Sequence, residues 1–245
     1  MSAEGNSIDN EAVEPLQNSD RPSVAVDVVM LSIYQRQLRV LVIRRTKDPY
    51  PGFWGLPGGF VHLDESLDYA AERALFAQTK LSGLFLEQLY SFGDPTRDRR
   101  GRVISVAYYA LVNWSRVVNL ATNENMILAR IEVPWEGEIG GPVRLVGQNG
   151  ELSIAFDHAD IIGMAVKRIR GKLDYAPIGF QLLPKRFTLR QLQAIHETVL
   201  HRSLNKDSFR RRMIATGLLR AIGEREKEVG HRPAELYRFS KPSAI

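Results

Sequence analysis

The 245-residue chain contains no cysteine. Disulfides, cysteine-ligated zinc, iron–sulfur clusters and thiol catalysis are therefore excluded, and the composition fits a reducing compartment such as the cytoplasm. The chain also lacks any apolar run near the roughly 18 residues that a membrane-spanning helix needs, which argues against an integral membrane protein. With 44% hydrophobic and 25% charged residues, it is long enough for one large or two modest domains with a buried core.

The first 22 residues, "MSAEGNSIDNEAVEPLQNSDRP", have little apolar content and almost no positive charge. They lack the apolar stretch of a secretory signal and the arginines of a transit peptide, so we expect a cytoplasmic, nucleoid-associated protein. Acidic and polar residues with few apolar anchors predict a disordered arm over residues 1–22.

Charge is distributed unevenly along the chain. Residues 160–245 contain 18 Lys and Arg against 8 Asp and Glu, whereas the remainder of the chain is acidic. This asymmetry favours two domains with different tasks, the basic one contacting a polyanion, although a merely well-solvated basic surface is the alternative.

The N-terminal half predicts an α+β domain over residues 23–156. Two β-branched runs, 23–33 and 39–45, flank a polar turn and predict an antiparallel strand pair. A Pro, Gly and aromatic loop over 47–61 precedes a predicted helix over 66–79, and 86–93 and 103–114 predict further strands around the charged loop 94–102.

After residue 156 the sequence pattern becomes typical of helices, so we place a second domain at 157–245. Apolar residues at helical spacing from Ile162 predict a helix opened near Asp157. The order that follows is a short strand "GFQLLP", a helix from Thr188 with a capping box to Gln191, a helix over 206–217, and two strands, "LLRAIGE" and "AELYRFS".

The stretch "GGFVHLDESLDYAAERALFAQTKL", residues 58–81, resembles the Nudix box of nucleotide pyrophosphatases, in which glutamates on one helix face hold the catalytic metal. Matching positions are Gly59, Glu65, Arg73, Leu75 and Leu81. The metal-binding glutamates do not match, because these positions hold Ala74, Ala77 and Gln78, and Lys80 replaces the closing glycine. The resemblance implies a Nudix-like α/β/α sandwich with a mixed sheet, and we expect no metal site and no hydrolysis. Glu65 and Arg73 are then expected to brace the loop and helix.

A nucleotide groove can persist without the metal site, since different residues recognise base, sugar and phosphate. Aromatic rings stack nucleobases, and arginines bind diphosphate oxygens through charge-assisted hydrogen bonds. The structural alternative is that the aromatics anchor their own loop and that "RDRR" is a solvated tip. The predicted ligand-binding residues are Arg44, Phe53, Trp54, Arg97 and Arg102, with Arg45 as a further candidate.

The order helix, turn, helix and basic hairpin is typical of a winged helix-turn-helix, whose second helix enters the DNA major groove. In that helix Asn205 is the expected cap, and Phe209, Met213 and Ile214 are expected to face the core. The predicted DNA-binding residues are Arg186, Arg190, Lys206, Ser208, Arg210, Arg211, Arg212, Lys227, His231 and Arg232.

Long phrases across residues 23–240, such as "YSFGDPTRDRRGRVISVAYYALV", "LLPKRFTLRQLQAIHE" and "GHRPAELYRF", resemble the NrtR family of Nudix-related regulators of NAD metabolism. This resemblance implies a homodimeric repressor of NAD synthesis or salvage genes, which binds a palindromic operator and is released by ADP-ribose as its effector, with no cofactor. Two alternatives stay open: a nucleotide pyrophosphatase with a basic accessory domain, and an RNA-binding or structural adaptor.

Overall fold

The computed structural model describes residues 21–122, 124–173, 179–227, 230 and 233–240. Nearly all of the predicted N-terminal arm, and two of the predicted DNA-binding residues, His231 and Arg232, lie outside this part of the chain.

Strands, α-helices and short 3-10 turns alternate in the N-terminal half, and helices open the C-terminal half. The strands are β1 (Ser23–Tyr34), β2 (Gln37–Arg44), β3 (Trp54–Gly55), β4 (Gly58–Phe60), β5 (Glu87–Phe92), β6 (Val103–Leu111), β7 (Met126–Glu132), β8 (Arg144–Gly147), β9 (Gly150–Glu151), β10 (Phe187–Thr188), β11 (Leu219–Arg225) and β12 (Glu235–Phe239). The helices are α1 (Leu67–Thr79), α2 (Trp114–Val117), α3 (His158–Lys172), α4 (Leu189–Leu200) and α5 (Lys206–Ala215), with 3-10 turns at Val118–Thr122 and Phe180–Leu182.

The large sheet is mixed, as predicted. Its strand order is β5-β6-β1-β2-β7-β8-β9, with β3 paired to β2 and β4 paired to β1. Strand β1 runs parallel to β6 and antiparallel to β2 and β4, so the predicted hairpin of β1 and β2 is confirmed. Strand β1 is buried over most of its length because both of its faces are covered.

Two helices cover the opposite faces of this sheet. On one face, Ala70, Ala71 and Ala74 of α1 pack against Val26 and Val28 of β1, and their small side chains let the helix approach the strands closely. On the other face, Ile162 and Val166 of α3 belong to the core cluster that contains Val29 and Val40. The arrangement is the predicted α/β/α sandwich.

The C-terminal half is a winged helix: α4 and α5 lie between β10 and the hairpin of β11 and β12, and the three strands form a small sheet of order β10-β12-β11. The capping box from Thr188 to Gln191 opens α4, and the Asn205 side chain accepts from the Ser208 amide at the start of α5. Leu192 of α4 and Phe209 of α5 belong to the same apolar cluster as α3, so the core is continuous between the two halves.

Two local predictions are wrong. "GFQLLP" does not form a strand, because Phe180–Leu182 is a 3-10 turn in which Leu182 is buried; the short strand lies later, at β10. Ile214 does not face the core but is 46% exposed, whereas Phe209 and Met213 are buried as expected. Across the described parts of the chain, no helix combines the length and apolar character needed to cross a membrane.

Candidate nucleotide pocket and DNA-binding surface

A cavity of about 190 Å³ opens at the ends of β1 and β4, beside the start of α3. Arginines, aspartates, aromatic rings and glycines share its wall. The lining residues that matter below are Asp27, Arg45, Gly58, Phe60, Arg97, Asp98, Arg100, Phe156 and His158. This combination is typical of a site for an anionic ligand with an aromatic part.

The three arginines of the cavity have different partners. Arg97 is buried and donates to both carboxylate oxygens of Asp157, at 2.8 and 2.6 Å. Arg100 donates in the same way to Asp98. Arg45 donates instead to backbone carbonyls in its own loop, at Pro49 and Lys47. Burial, and then repulsion from Arg100, lower the pKa of Arg45, which marks this side of the cavity as one where an anion would be stabilised.

The carboxylate of Asp27 lies at the base of the cavity. It accepts a hydrogen bond from the Ser105 hydroxyl at 2.6 Å and lies 3.5 Å from the Arg97 guanidinium. His158 is also 3.5 Å from Asp27, and its Nδ1 accepts from the Leu56 amide at 2.9 Å. Burial lowers the pKa of His158, so the neutral imidazole is the form that accepts this hydrogen bond.

Two aromatic rings flank the arginines. The Arg45 and Arg100 guanidinium carbons lie 4.7 and 5.9 Å from the centre of the Phe156 ring, and Arg100 also lies 5.3 Å from the Phe60 ring. Phe156 has a left-handed backbone, with φ of 55°, which bulky residues rarely adopt. Such strain is typical of functional sites, and here it places the ring between two cationic groups.

Helix α1 passes beside this cavity with the degenerate Nudix positions on it. Glu65 accepts from Arg73 at both oxygens and from the His62 amide, while Arg73 also donates to the Phe60 carbonyl, so the expected brace is present. The Gln78 side chain donates to the Gly58 carbonyl at 2.8 Å. Within the described ranges, no three His, Cys, Asp or Glu residues are grouped so as to hold a metal ion.

Of the predicted ligand-binding residues, the structure brings only Arg97 to the cavity wall, together with Arg45. Arg102 donates to the Gly93 carbonyl, and Trp54 packs against the main core. Arg44, at the end of β2, and Phe53, on the loop that follows, are exposed. These four remain predictions for contacts with a ligand larger than the cavity.

Sequence reasoning missed Asp27, Phe60, Asp98, Arg100, Phe156 and His158 as wall residues. Two motifs contain part of this set: "RDRR" includes Asp98 and Arg100, and "AFDHADII" includes Phe156 and His158.

The predicted DNA-binding side chains that the structure describes are exposed. Lys206, Ser208, Arg210, Arg211 and Arg212 lie on the exposed surface of α5, and Arg190 is exposed at the start of α4. Arg186 pairs with Glu224 at 2.7 Å, and Lys227 follows β11 in the wing. The expected basic surface is therefore assembled from α4, α5 and the wing.

A wider groove of about 980 Å³ runs between α4, α5 and β12. Lys206 and Arg210 of α5 lie along it, as does Arg190, and they face Glu226 and Tyr237. Lys206 and Arg210 are one helical turn apart, which places them on the side of α5 that adjoins the wing.

Both halves match known domains. Residues 23–136 match the NUDIX domain, and residues 179–239 match the NrtR DNA-binding winged helix domain. The chain is 37% identical over 228 residues to a protein of Acinetobacter baylyi named ADPR responsive transcriptional repressor NtrR, and the match covers 91% of this chain and 85% of that protein.

Two further proteins are similar to this chain, the first over about a third of its length and the second over most of it. Over 87 residues the chain is 36% identical to ADP-ribose pyrophosphatase of Methanocaldococcus jannaschii, covering 36% of this chain and 49% of that protein. The crystal structure of Shewanella oneidensis NrtR complexed with a 27mer DNA superposes with a TM-score of 0.73 at 32% identity, covering 88% of this chain and 93% of that one. With a Nudix-like sandwich, a winged helix and a relative matched over nearly its whole length, this chain belongs to the NrtR family of Nudix-related transcriptional regulators.

Proposed function

We propose that this protein is a transcriptional repressor that binds operator DNA through its winged helix. It is released from the operator when ADP-ribose binds in the N-terminal cavity. The observation that carries the proposal is a cavity with three arginines and two aromatic rings, on the same chain as an exposed basic helix. The Nudix-like helix beside the cavity has Ala74, Ala77 and Gln78 at the positions of the family's metal-binding glutamates. The name of the Acinetobacter relative supports the choice of ADP-ribose.

The chemistry of the cavity suits a nucleoside diphosphate sugar. Arg45, Arg97 and Arg100 would bind the diphosphate oxygens, and Phe60 and Phe156 offer ring faces for stacking. Ala74, Ala77 and Gln78 supply no carboxylate to hold a catalytic metal, so we infer binding without turnover. We further propose a homodimer on a palindromic operator of NAD synthesis or salvage genes, as the family resemblance implies.

The test measures DNA binding and hydrolysis on the same protein. An operator is first selected from random duplex DNA, and its binding is then followed by fluorescence anisotropy while ADP-ribose is added. We expect ADP-ribose to release the duplex and the protein to form no AMP with Mg²⁺ or Mn²⁺ present.

The opposite pattern identifies the competing function. Metal-dependent AMP formation at ordinary enzyme rates, with DNA binding indifferent to ADP-ribose, would favour the pyrophosphatase that the Methanocaldococcus similarity suggests. Preference for structured RNA over duplex DNA would favour the adaptor.

A further inference from the structure

Helix α3 contacts the cavity at one end and the winged helix at the other. Asp157 and His158 lie at its start, beside the cavity, and Arg170 lies in its last turn. Its 15 residues span about 22 Å, since each residue of an α-helix rises 1.5 Å. It is therefore a rigid element that touches both functional regions.

The far end of α3 is attached firmly to α4. Arg170 is 5% exposed, and its Nε donates to the carbonyl of Val199, in the last turn of α4, at 2.9 Å. Its Nη1 donates to the Gly137 carbonyl at 2.9 Å. Carbonyls at the C-terminal end of a helix carry partial negative charge, so this end of α4 stabilises the buried guanidinium. A shift of α3 is thus expected to move α4 with it.

The near end of α3 depends on an ion pair instead of a cap. Asp157 occupies the N-cap position, where aspartate commonly accepts from an amide of the first turn, but its side chain makes no such bond. Both carboxylate oxygens accept from Arg97, which belongs to the loop between β5 and β6. The start of α3 is therefore fastened to the cavity wall by Arg97.

A bound diphosphate would compete with Asp157 for that guanidinium. Of the three carboxylates beside the cavity's arginines, the Asp157 side chain is the most exposed, at 20%, against 10% for Asp27 and 3% for Asp98. Asp27 also accepts from Ser105, and Asp98 accepts from Arg100 at both oxygens. Repulsion by the phosphates would thus displace Asp157 before the other two.

We propose that the Arg97–Asp157 ion pair is the contact through which ADP-ribose controls DNA affinity. The pair is made in the DNA-binding arrangement and is broken when the ligand's diphosphate binds Arg97. Its loss loosens the attachment of the first turn of α3 to the cavity wall, and Arg170 transmits the resulting movement to α4. This inference rests on the proposed function, and it supplies the difference in ligand affinity between two arrangements that allosteric control requires.

The decisive variant is Asp157→Asn, which removes the charge and retains a side chain able to cap a helix. The full-length protein is titrated with ADP-ribose by calorimetry, with and without saturating operator. In the wild type we expect the two affinities to differ by about 5–150-fold, the usual range of allosteric coupling. In the variant, free protein should bind ADP-ribose more tightly, bind operator more weakly, and show a coupling factor within about two-fold of 1.

The matched controls are Asp160→Asn and Asp157→Glu. Asp160 is an exposed carboxylate of the same helix turn, so its variant should keep the wild-type factor. Glutamate at 157 keeps the charge and should restore much of the coupling. A wild-type coupling factor in Asp157→Asn, or an equal loss of coupling in Asp160→Asn, would overturn the inference.

The titrations also distinguish failure of this inference from failure of the proposed function. If the coupling factor of the wild type is 1, both the proposed function and this inference are wrong. If the wild type is coupled and Asp157→Asn keeps that coupling, this inference alone is wrong. If Asp157→Asn does not fold, hydrogen exchange on the wild type decides: ADP-ribose should change the exchange rates of the amides of residues 158–161 several-fold, and unchanged rates would overturn the inference.

Discussion

At the scale of single residues, Glu65 and Arg73 of the Nudix-like stretch have a structural role. Their ion pair at 2.5 Å joins the loop before α1 to the helix, and Arg73 also holds the Phe60 carbonyl next to the cavity. The hydrogen bonds from Arg73 lower the pKa of Glu65 from 4.5 to about 2. The pair is therefore expected to shape the cavity wall.

We predict that Glu65→Gln lowers the melting temperature in a pH-dependent way. Because the folded-state pKa of Glu65 is below its unfolded value of 4.5, the stabilisation is complete above pH 4.5 and is lost as the pH falls towards about 2. The gap between wild-type and variant melting temperatures should therefore narrow from pH 6 to pH 2.5. A melting-temperature gap that stays constant over this range would contradict a stabilising role of the Glu65–Arg73 pair. The control is Asp64→Asn, at an exposed neighbouring position.

Residues in and beside the cavity could be predicted from the sequence only where a local motif contains them. Glu65 and Arg73 could be paired from the sequence because the Nudix box fixes their spacing, and Arg97 stood out in a charged loop. Asp27 could not be identified, since it is one charged residue within a largely apolar strand. It reaches the cavity only because β1 pairs with β4 and β6, a long-range arrangement that no local pattern encodes.

At the scale of elements, helix α5 presents its basic residues in two directions. Arg211 is two residues from both Phe209 and Met213, which are buried, so it projects about 160–200° away from the core. Lys206 and Arg210 line the groove beside the wing. We therefore expect Arg211 to read base edges and the other two to contact phosphates.

We predict that Arg211→Ala costs about 1–3 kcal/mol of operator affinity and relaxes preference at one base pair in each half-site. Lys206→Ala should weaken selected and random duplexes to a similar extent. Binding selection on randomised operators measures both effects. The control is Arg144→Ala, an exposed arginine on β8; sequence preference unchanged in Arg211→Ala would refute this role.

The junction of α3 and α4 gives a second prediction at this scale. Arg170→Met should lower the free energy of unfolding by about 1.5–3 kcal/mol, because hydrogen bonds from a charged donor to the Val199 and Gly137 carbonyls are lost and the Val199 acceptor stays buried. Urea denaturation measures the change. Lys167→Met, which loses one exposed bond from the same helix, should change stability far less, and equal effects would contradict the anchoring role.

Helices α4 and α5 were predictable because apolar spacing and a cap residue, Thr188 or Asn205, indicate the same start. The strand predicted for "GFQLLP" failed because a six-residue apolar run does not distinguish a strand from a buried turn. Ile214 failed for another reason. It lies about 100° around the helix from Met213, outside the buried side of α5, on which Phe209 packs against His196.

At the scale of the whole molecule, we predict a homodimer that contacts both halves of a palindrome. One winged helix offers few base contacts, and a two-fold axis doubles them. Sedimentation of the protein with operator should give two chains per duplex, and the logarithm of affinity should fall with that of salt by roughly 0.9 per neutralised phosphate. One chain per duplex, or affinity indifferent to salt, would contradict this.

We infer a thermodynamic coupling between the N-terminal cavity and the winged helix. Its most direct test is a pair of titrations on the wild-type protein: operator binding with and without saturating ADP-ribose, and ADP-ribose binding with and without saturating operator. Linkage requires ADP-ribose to weaken operator binding by the same factor by which operator weakens ADP-ribose binding, and we predict equal factors above 1. An ADP-ribose affinity unchanged by saturating operator would show that the two sites are independent.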